Sequence, residues 1–599
     1  MRWFMVLFSI LMVSSTSLTA ADSPSLDARR KALNDLIAER WEYVLRTSPE
    51  FASILGDKRY NDQLSDLSLE QIERDLDQAR AFLKRFEATD TTGFPLQEAL
   101  NQRLMVRNLR IQIEDARWKD WEMPVTQISG LHLDFPQLIS LFAFDTVKDY
   151  EDFGARMKQF PVQMDQTITH MRTGMRDQLM PPKFLLEKVV TQSENLANQK
   201  AEESPFAGPL SKFPKSIAEA GQKRLRERYL ATIRESVLPA YARFAKFVKE
   251  EYAPQGRPEP GMWSLPEGDA RYAVNAKRST TTDLTPEEIH QIGLREVARI
   301  EGEMAGIARK LGFDDLQAFR TSLKANRALY AQSREQILDL YRKYTDQVEK
   351  ELPKLFGRLP KAGLKIEPVE EFREKEAPGA QYNQGTPDGS RPGMVRVNTG
   401  TPQERQTISV ESTAYHEGYP GHHMQIAIGQ ELGDLPPFRQ QAFYGAYIEG
   451  WALYSERLGK EVGFYQDPYN EYGRLEGEML RAIRLVVDTG FHYKRWTRDQ
   501  VVQFVHDHSA IDEVNVQSET DRYIVWPGQA LSYKIGQLKI LDLRERAKKD
   551  LGAKFDIRHF HDQVLGSSAL PLDVLDEVIT KWIAAEKPVP GGAVSATPR

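Results

Sequence analysis

Histidines concentrate in one short segment of this 599-residue chain. His416, His422 and His423 lie within eight residues of one another, and Glu417 follows the first of them. In a helical zinc motif, two histidines four residues apart reach one ion, and the glutamate beside the first faces the water on that ion. Here Pro420 stands four residues after His416. On an unbroken helix neither later histidine would replace the missing ligand, so a zinc site requires a distorted helix.

Proline and glycine at this point favour such a distortion. Pro420 removes a helical hydrogen bond and clashes with the carbonyl group one turn earlier, while Gly421 tolerates unusual backbone dihedral angles. A kink or bulge that absorbs two residues would place His422 where the second ligand belongs, with His423 as the alternative. The competing interpretation is that these histidines cap a broken helix or form hydrogen bonds within the core.

A glutamate in the next helical segment, residues 446–458, is the predicted third ligand. Glu449 lies beside an apolar stripe, where an unpaired carboxylate would be unfavourable. It follows His422 by 27 residues, enough for one helix to end and another to return antiparallel. Two imidazoles and one carboxylate leave a tetrahedral zinc ion one open position, which is the catalytic arrangement. Glu456 is an alternative third ligand, or a residue that supports a ligand. The structural alternative for Glu449 is an ion pair with an arginine.

Helical patterns dominate the elements that must position these residues. Apolar residues recur at three- and four-residue steps near the start of the mature chain, and capping-box patterns begin helices at Ser68 and Thr285. Two stretches, residues 254–268 and 353–402, are predicted to be irregular, and a short strand is predicted at Met394–Asn398. We predict a signal peptide at 1–21, an N-terminal helical half at 22–270, a C-terminal half with the histidines at 271–586 and a disordered tail at 587–599, with 22–586 as the alternative single body.

Composition and charge exclude several classes of protein. The chain has no cysteine, so it can form neither a disulfide nor a thiolate metal site, and it has no cysteine nucleophile. Its 80 basic and 86 acidic residues give a formal net charge of −6. No chain-wide basic surface is therefore available for a nucleic-acid backbone, and we expect no nucleic-acid partner.

The first residues of the chain predict export. Arg2 precedes an apolar run, residues 3–13, that is too short to span a membrane, and Thr19-Ala20-Ala21 fits the rule for signal cleavage. Because no cysteine follows the cleavage point, we expect no lipid anchor. The prediction is a soluble exported protein, periplasmic or secreted, with no membrane span after removal of the signal peptide.

Several motifs of the chain resemble those of a known bacterial family. The pattern His-Glu-x-x-Pro-Gly-His at 416–422 and the downstream Glu-Gly-Trp-Ala-Leu-Tyr at 449–454 are similar to motifs of the DUF885 family, a domain of unknown function. That family in turn resembles the HExxH zinc metallopeptidases of the gluzincin type. The resemblance runs from about Leu33 to Ile583 and includes the segments 389–393, 488–492 and 526–533.

The resemblance implies a fold and a metal site. The expected fold is a large, mainly α-helical protein with a deep central cleft and a small β-hairpin or edge sheet beside the active site. The resemblance also implies one zinc ion per chain, held by His416, His422 and Glu449, with Glu417 as the general base.

Other residues could complete such a site. His492 and Tyr533 are candidate donors to the oxyanion of a tetrahedral intermediate. Arg522 could bind a substrate carboxylate through two hydrogen bonds, and the predicted strand, with Arg396 and Asn398, could bind an extended peptide by edge addition. Each candidate also has a purely structural interpretation. His492 would be a core histidine, Tyr533 a packed tyrosine, Arg522 an ion-paired arginine and the strand part of a surface hairpin.

Together these features predict a zinc-dependent hydrolase. A metallopeptidase, whether a carboxypeptidase, a dipeptidase or an oligopeptidase, would cleave peptides or small amides with a zinc-activated water and Glu417 as the base. One alternative is a non-catalytic periplasmic helical binding protein, and another is a zinc hydrolase of non-peptide amides or esters. An intact Glu417 favours an enzyme, because binding alone gives no reason for a base beside a metal ligand.

Overall fold

The computed structural model of the protein is mainly α-helical, as the sequence predicts. The structure describes residues 24–369, 371, 374, 377–386, 389 and 391–587. The predicted signal peptide at 1–21 lies outside these described residues, and so does the predicted tail from residue 588 onward. No helix in the described ranges combines the length and the apolar character that crossing a bilayer requires.

Helices form most of the first part of the described chain. The longest, α6, starts with a complete capping box between Thr146 and Asp149. The helices of this part are α1 (Leu26–Thr47), α2 (Pro49–Ile54), α3 (Leu69–Glu87), α4 (Leu96–Asp115), α5 (Leu131–Leu138), α6 (Val147–Asp177), α7 (Lys183–Ala197), α8 (Glu219–Thr232) and α9 (Leu238–Phe247).

The second part of the chain is also helical and carries the motif residues. Its helices before the histidine segment are α10 (Gly268–Thr280), α11 (Pro286–Lys310), α12 (Leu316–Ala325), α13 (Arg334–Glu349) and α14 (Leu352–Leu355). The helices that follow are α15 (Val410–Glu417), α16 (His422–Gln430), α17 (Pro437–Gln440), α18 (Gly445–Glu461), α19 (Pro468–His492), α20 (Arg498–His508), α21 (Glu513–Val525), α22 (Ser532–Leu551), α23 (Ile557–Leu565) and α24 (Leu572–Glu586).

Both predicted helix starts are confirmed. The Thr285 side chain accepts a hydrogen bond from the backbone N–H of Glu288, whose carboxylate accepts one from the backbone N–H of Thr285. Ser68 caps α3 by accepting from the backbone N–H of Gln71, but the Gln71 side chain donates to Asp75 instead of completing the box. The local capping chemistry therefore determines where α3 and α11 begin.

One small sheet interrupts the helices between α14 and α15. Its strands are β1 (Leu364–Pro368), β2 (Ala380–Asn383) and β3 (Gly393–Val397). β3 lies in the centre, parallel to β1 and antiparallel to β2. The predicted strand at 394–398 is thus confirmed to within one residue, but it is not an edge strand.

Packing of two helix backbones against each other holds the centre of the second part. A Cβ atom at Gly450 of α18 would lie 2.4 Å from the Cα atom of Gly536 of α22, so only glycine fits this crossing. The core around this crossing includes Trp451 and Ile535, and α4 of the first part contributes Leu104 to it. The close contact fixes the position of α18, which carries Glu449 and Glu456.

Candidate metal centre

The chain breaks its helix between the first and second predicted ligands. α15 ends at Glu417 and α16 begins at His422, with a cis peptide bond at Tyr419–Pro420 between them. A Cβ atom at Gly421 would lie 1.9 Å from the carbonyl oxygen of His416, so the returning chain needs glycine there. The predicted distortion is confirmed, and it takes the form of a complete break that places His422 at the start of a new helix.

Helix α18 holds this turn in place. The indole Nε1 of Trp451 donates a 2.9 Å hydrogen bond to the carbonyl oxygen of Pro420, and the Ser455 hydroxyl donates to the same oxygen at 3.3 Å. The same helix carries Glu449. The turn after α15 and the predicted third ligand are therefore positioned by one rigid element.

Three predicted ligands converge at this turn. Candidate ligand atoms of His416, His422 and Glu449 all lie within 4.8 Å of one another. Glu449 Oε2 lies 3.7 Å from His416 Nε2 and 3.5 Å from His422 Nε2. Both histidines are buried, and the Glu449 side chain is 17 % exposed. This donor set suits a zinc ion with one open position.

Glu456, the alternative ligand, instead holds the first histidine. Its Oε1 lies 2.8 Å from His416 Nδ1, and both side chains are buried. The Tyr465 hydroxyl donates to the backbone carbonyl oxygen of the same Glu456. A carboxylate on the far nitrogen of an imidazole fixes its orientation, which is how zinc-bound histidines are commonly supported.

His423, the alternative second ligand, is not brought into the cluster. Its Nδ1 lies 3.1 Å from the Tyr382 hydroxyl, and its Nε2 lies 3.2 Å from both the Tyr419 hydroxyl and the carbonyl oxygen of Ala362. Burial lowers the pKa of His423 to about 4. The ring is a neutral core histidine, as one of the sequence alternatives proposed.

The electrostatics of the cluster favour a cation. Burial by itself would lower the pKa of His416, but the Glu449, Glu456 and Glu417 carboxylates outweigh it and raise the pKa to about 9. Burial by itself would raise the pKa of the Glu449 carboxyl, yet His416 and His422 hold it well below its usual range. Several carboxylates around buried imidazoles give a negative potential that a divalent ion would compensate.

Glu417 has a free carboxylate beside the cluster. It is the last residue of α15 and is partly exposed. Within the described ranges no group forms a hydrogen bond with its carboxylate. The neighbouring Tyr341 is buried, and burial together with the charge of Glu417 raises the pKa of its hydroxyl. Sequence reasoning missed Tyr341, because α13 carries no motif around it.

Comparison with known proteins places the chain in a family. Residues 49–579 match the family described as "Bacterial protein of unknown function (DUF885)". The chain belongs to the DUF885 family. No curated protein matches this DUF885 protein.

Two solved structures share the fold of the DUF885 protein. One, described as a "putative lipoprotein" from Colwellia psychrerythraea, is 30% identical, with a TM-score of 0.88 over 93% of this chain and 100% of that chain. The other, described as a "putative lipoprotein of unknown function" from Shewanella oneidensis, is 17% identical, with a TM-score of 0.67 over 93% of this chain and 100% of that chain. The expectations of export and of no lipid anchor stay predictions for this protein.

In the DUF885 protein, His492 forms hydrogen bonds with buried backbone groups. The prediction that His492 donates to the oxyanion is therefore wrong. His492 Nδ1 accepts a hydrogen bond from the backbone N–H of Met262, and Nε2 donates to the carbonyl oxygen of Tyr523, both at 2.9 Å. Burial lowers the pKa of this ring to about 3. A neutral ring with both nitrogens occupied has no hydrogen bond left to donate to a substrate.

The motif segments 488–492 and 526–533 are joined to each other. The Asp488 carboxylate accepts hydrogen bonds from the backbone N–H of Gly528 at 3.0 Å and from the Tyr272 hydroxyl at 2.7 Å. Burial raises the pKa of Asp488 to about 7. These segments therefore tie α10, α19 and the turn before α22 together.

We expect the His492→Leu variant to be less stable than the wild type but to bind the same amount of zinc. Removal of the ring leaves the buried N–H of Met262 and the buried carbonyl of Tyr523 unpaired, at a cost of about 1–3 kcal/mol each. Urea denaturation should show a free energy of unfolding lower by about 2–6 kcal/mol. Zinc content per folded chain should equal that of the wild type, and loss of zinc at unchanged stability would show that His492 acts at the site.

The predicted peptide-binding strand is also wrong. β3 is paired on both sides, so no edge is free on it for an added strand. The Arg396 guanidinium pairs with Glu367 of β1 at 3.0 Å. Asn398 is 2% exposed, and its amide donates to the carbonyl oxygens of Glu374 and Ala377. Arg396 therefore links β3 to β1, and Asn398 holds two residues of the connection between β1 and β2.

The structure brings the two remaining candidates together. Arg522 Nη2 lies 3.4 Å from the Tyr533 hydroxyl and donates to the Gln529 side chain at 2.8 Å, while Nη1 pairs with Glu519 at 3.2 Å. Arg522 is therefore ion-paired, as its predicted structural alternative states.

A cavity of about 810 Å³ adjoins the N-terminal end of α18. Gly445 of α18, Gln529 and Ser532 line it together with residues of α1 and α4. None of the three converging ligands lines it, and Gly445 lies one helical turn before Glu449. This cavity therefore adjoins the helix that carries Glu449, and the three converging ligands are not among its lining residues.

Proposed function

We propose that this DUF885 protein is a zinc-dependent hydrolase of peptides or small amides. The supporting observation is the convergence of His416, His422 and Glu449, whose candidate ligand atoms lie within 4.8 Å of one another. The family description gives no activity, so the proposal rests on the chemistry of this donor set and its neighbours. The likeness of the motif to gluzincin-type metallopeptidases points to the same reaction class.

The residues of the cluster divide into ligands and supports. His416 and His422 would each provide one imidazole nitrogen and Glu449 one carboxylate oxygen. Glu456 holds Nδ1 of His416 at 2.8 Å, which leaves Nε2 directed toward Glu449. A bound zinc ion would polarise a substrate carbonyl and lower the pKa of its water to roughly 7.

Glu417 is the proposed proton carrier. Its carboxylate is partly exposed and has no hydrogen-bond partner among the described residues. It can accept a proton from the attacking water and donate that proton to the leaving nitrogen. The hydroxyl of Tyr341, beside Glu417, replaces His492 as the proposed donor to the developing negative charge.

The space beside α18 accommodates a substrate of this class. A cavity of about 810 Å³ is within the range of pockets that bind small molecules and short peptides. Its lining residues Phe443 and Tyr444 offer aromatic surface, and Phe443 is 76% exposed. A short peptide held there would extend along α18 toward Glu449.

The first test is metal content combined with digestion of a peptide library. We expect about one zinc ion per chain, cleavage of short peptides, loss of cleavage with a zinc chelator and its recovery when zinc is returned. Protein that binds no zinc in zinc-containing buffer and cleaves no library member would refute the proposal. Binding of peptides without cleavage would instead identify a binding protein.

A further inference from the structure

Three arginines surround one tyrosine ring near the candidate site. The guanidinium carbon of Arg484 lies 4.7 Å from the centroid of the Tyr533 ring, and that of Arg481 lies 5.8 Å from it. Arg522 Nη2 lies 3.4 Å from the Tyr533 hydroxyl. Glu519 pairs with Arg484 at 2.8 Å and with Arg522 at 3.2 Å. This arginine cluster (Arg481, Arg484 and Arg522) therefore has a surplus of positive charge.

Arg481 is the member without an anionic partner. Its Nη1 donates a 3.1 Å hydrogen bond to the carbonyl oxygen of Gly477, and its buried Nε has no hydrogen-bond partner in the part of the chain that the structure describes. Across the described ranges, no carboxylate forms an ion pair with it. A half-buried guanidinium with open donors is unfavourable unless an anion binds. The planar fork of arginine suits a carboxylate, which can accept two parallel hydrogen bonds.

Arg481 lies close to the supports of the metal centre. A methyl group on Gly477 would lie 3.3 Å from Arg481 Nη1 and 3.5 Å from Glu456 Oε2. Glu456 in turn contacts His416 Nδ1 through its other oxygen. Arg481 Nη1 and Glu456 Oε2 therefore both lie beside Gly477, and Glu456 in turn supports a proposed zinc ligand.

We propose that Arg481 binds the free C-terminal carboxylate of a peptide substrate. The inference rests on the proposed hydrolase function and names its substrate class. Because Arg481 lies near Glu456, which supports His416, a carboxylate bound by Arg481 places the C-terminal end of a peptide near the proposed metal centre. Arg484 and Arg522 add positive charge behind the site, and the activity is that of a carboxypeptidase.

The test compares N-acylated peptides that differ only at their C-terminus. The peptides of the first series end in a free carboxylate, and those of the second end in an amide. The peptides of the third series end in a glutamate whose terminal carboxyl group is amidated, so that only its side chain is acidic. We expect the wild type to have a kcat/KM about 10- to 100-fold higher on the free acids than on either amide series. The Arg481→Gln variant should lose this preference by lowering kcat/KM only on the free acids, and Arg481→Lys should retain part of it.

Arg457→Gln is the matched control, since Arg457 is exposed on α18. It should leave all three series unchanged. Equal cleavage of free acids and amides by the wild type, or an equal loss on both with Arg481→Gln, would overturn the inference and leave the hydrolase proposal standing. A preference for the glutamate-containing amides would show that an acidic side chain is the ligand and would equally overturn it.

A binding measurement separates this inference from the hydrolase proposal. N-acetylated amino acids, and their amides as controls, are added to wild-type protein and to the Arg481→Gln variant during thermal unfolding. We expect the free acids to raise the Tm of the wild type only, because a ligand stabilises the state that binds it. The same shift in both proteins, or none in either, would refute carboxylate binding by Arg481 whether or not peptides are cleaved.

Discussion

The Glu417→Gln variant should keep its zinc and lose its turnover. The amide preserves the size of the side chain at the end of α15 but cannot take a proton from water. Since general-base catalysis contributes about 10²–10⁴-fold to a rate, we expect kcat on the best library peptide to fall by about that factor. Zinc content, measured by atomic emission on the same samples, should stay at the wild-type value.

Glu404→Gln provides the control for this experiment. Glu404 is an exposed carboxylate shortly before the same helix. Its variant should match the wild type in zinc content and in kcat. If Glu417→Gln retains full activity, Glu417 has no part in the mechanism, and if it loses its zinc, Glu417 supports the metal and is not the base.

Replacement of His422 and His423, one at a time, should separate ligand from core residue. His422→Gln removes a proposed ligand and should weaken zinc binding on the order of 10³-fold or more, because zinc sites of this class depend on three protein donors. His423→Gln should retain zinc, since His423 contacts Tyr382, Tyr419 and Ala362 and is not part of the cluster. Titration against a chelator of known affinity measures both.

Glu456→Gln adds a graded comparison to this pair. A group that only orients a ligand typically contributes about 10–100-fold to metal affinity, so this variant should lie between the other two. Retention of zinc by His422→Gln together with its loss from His423→Gln would show that the second ligand has been assigned to the wrong histidine. A loss in Glu456→Gln as large as in His422→Gln would make Glu456 a ligand.

The converging residues could be proposed from sequence because few residue types ligate zinc in a chain without cysteine. His416 and His422 stand out by residue type, and Pro420 with Gly421 signals the break between them. Glu449 stands out because it lies beside an apolar stripe. The nature of the break could not be predicted. It depends on Trp451 and Ser455, which donate to the Pro420 carbonyl from a helix some thirty residues later.

The less successful predictions share a physical cause. His492 and Asn398 are polar residues in motif or strand segments, and such side chains satisfy buried backbone groups as readily as they bind substrate. Which of the two they do depends on the groups that face them, and those groups come from distant parts of the chain. For His492 they are the backbone groups of Met262 and Tyr523. Arg481 was missed for the converse reason, because the lack of an ion-pair partner among the described residues can be seen only when its neighbours are in place.

The sequence by itself determined the helical class of the protein, the starts of α3 and α11, and the identity of the candidate ligands. These features depend on local periodicity, capping chemistry and the small set of metal-binding side chains, all of which act within a few residues. Only the tertiary structure decided that His422 and not His423 faces Glu449 and that both sides of β3 are paired. It also decided that no carboxylate of the described residues forms an ion pair with Arg481. Each of those outcomes is set by distances between segments far apart in the chain, and such distances follow from how the helices pack.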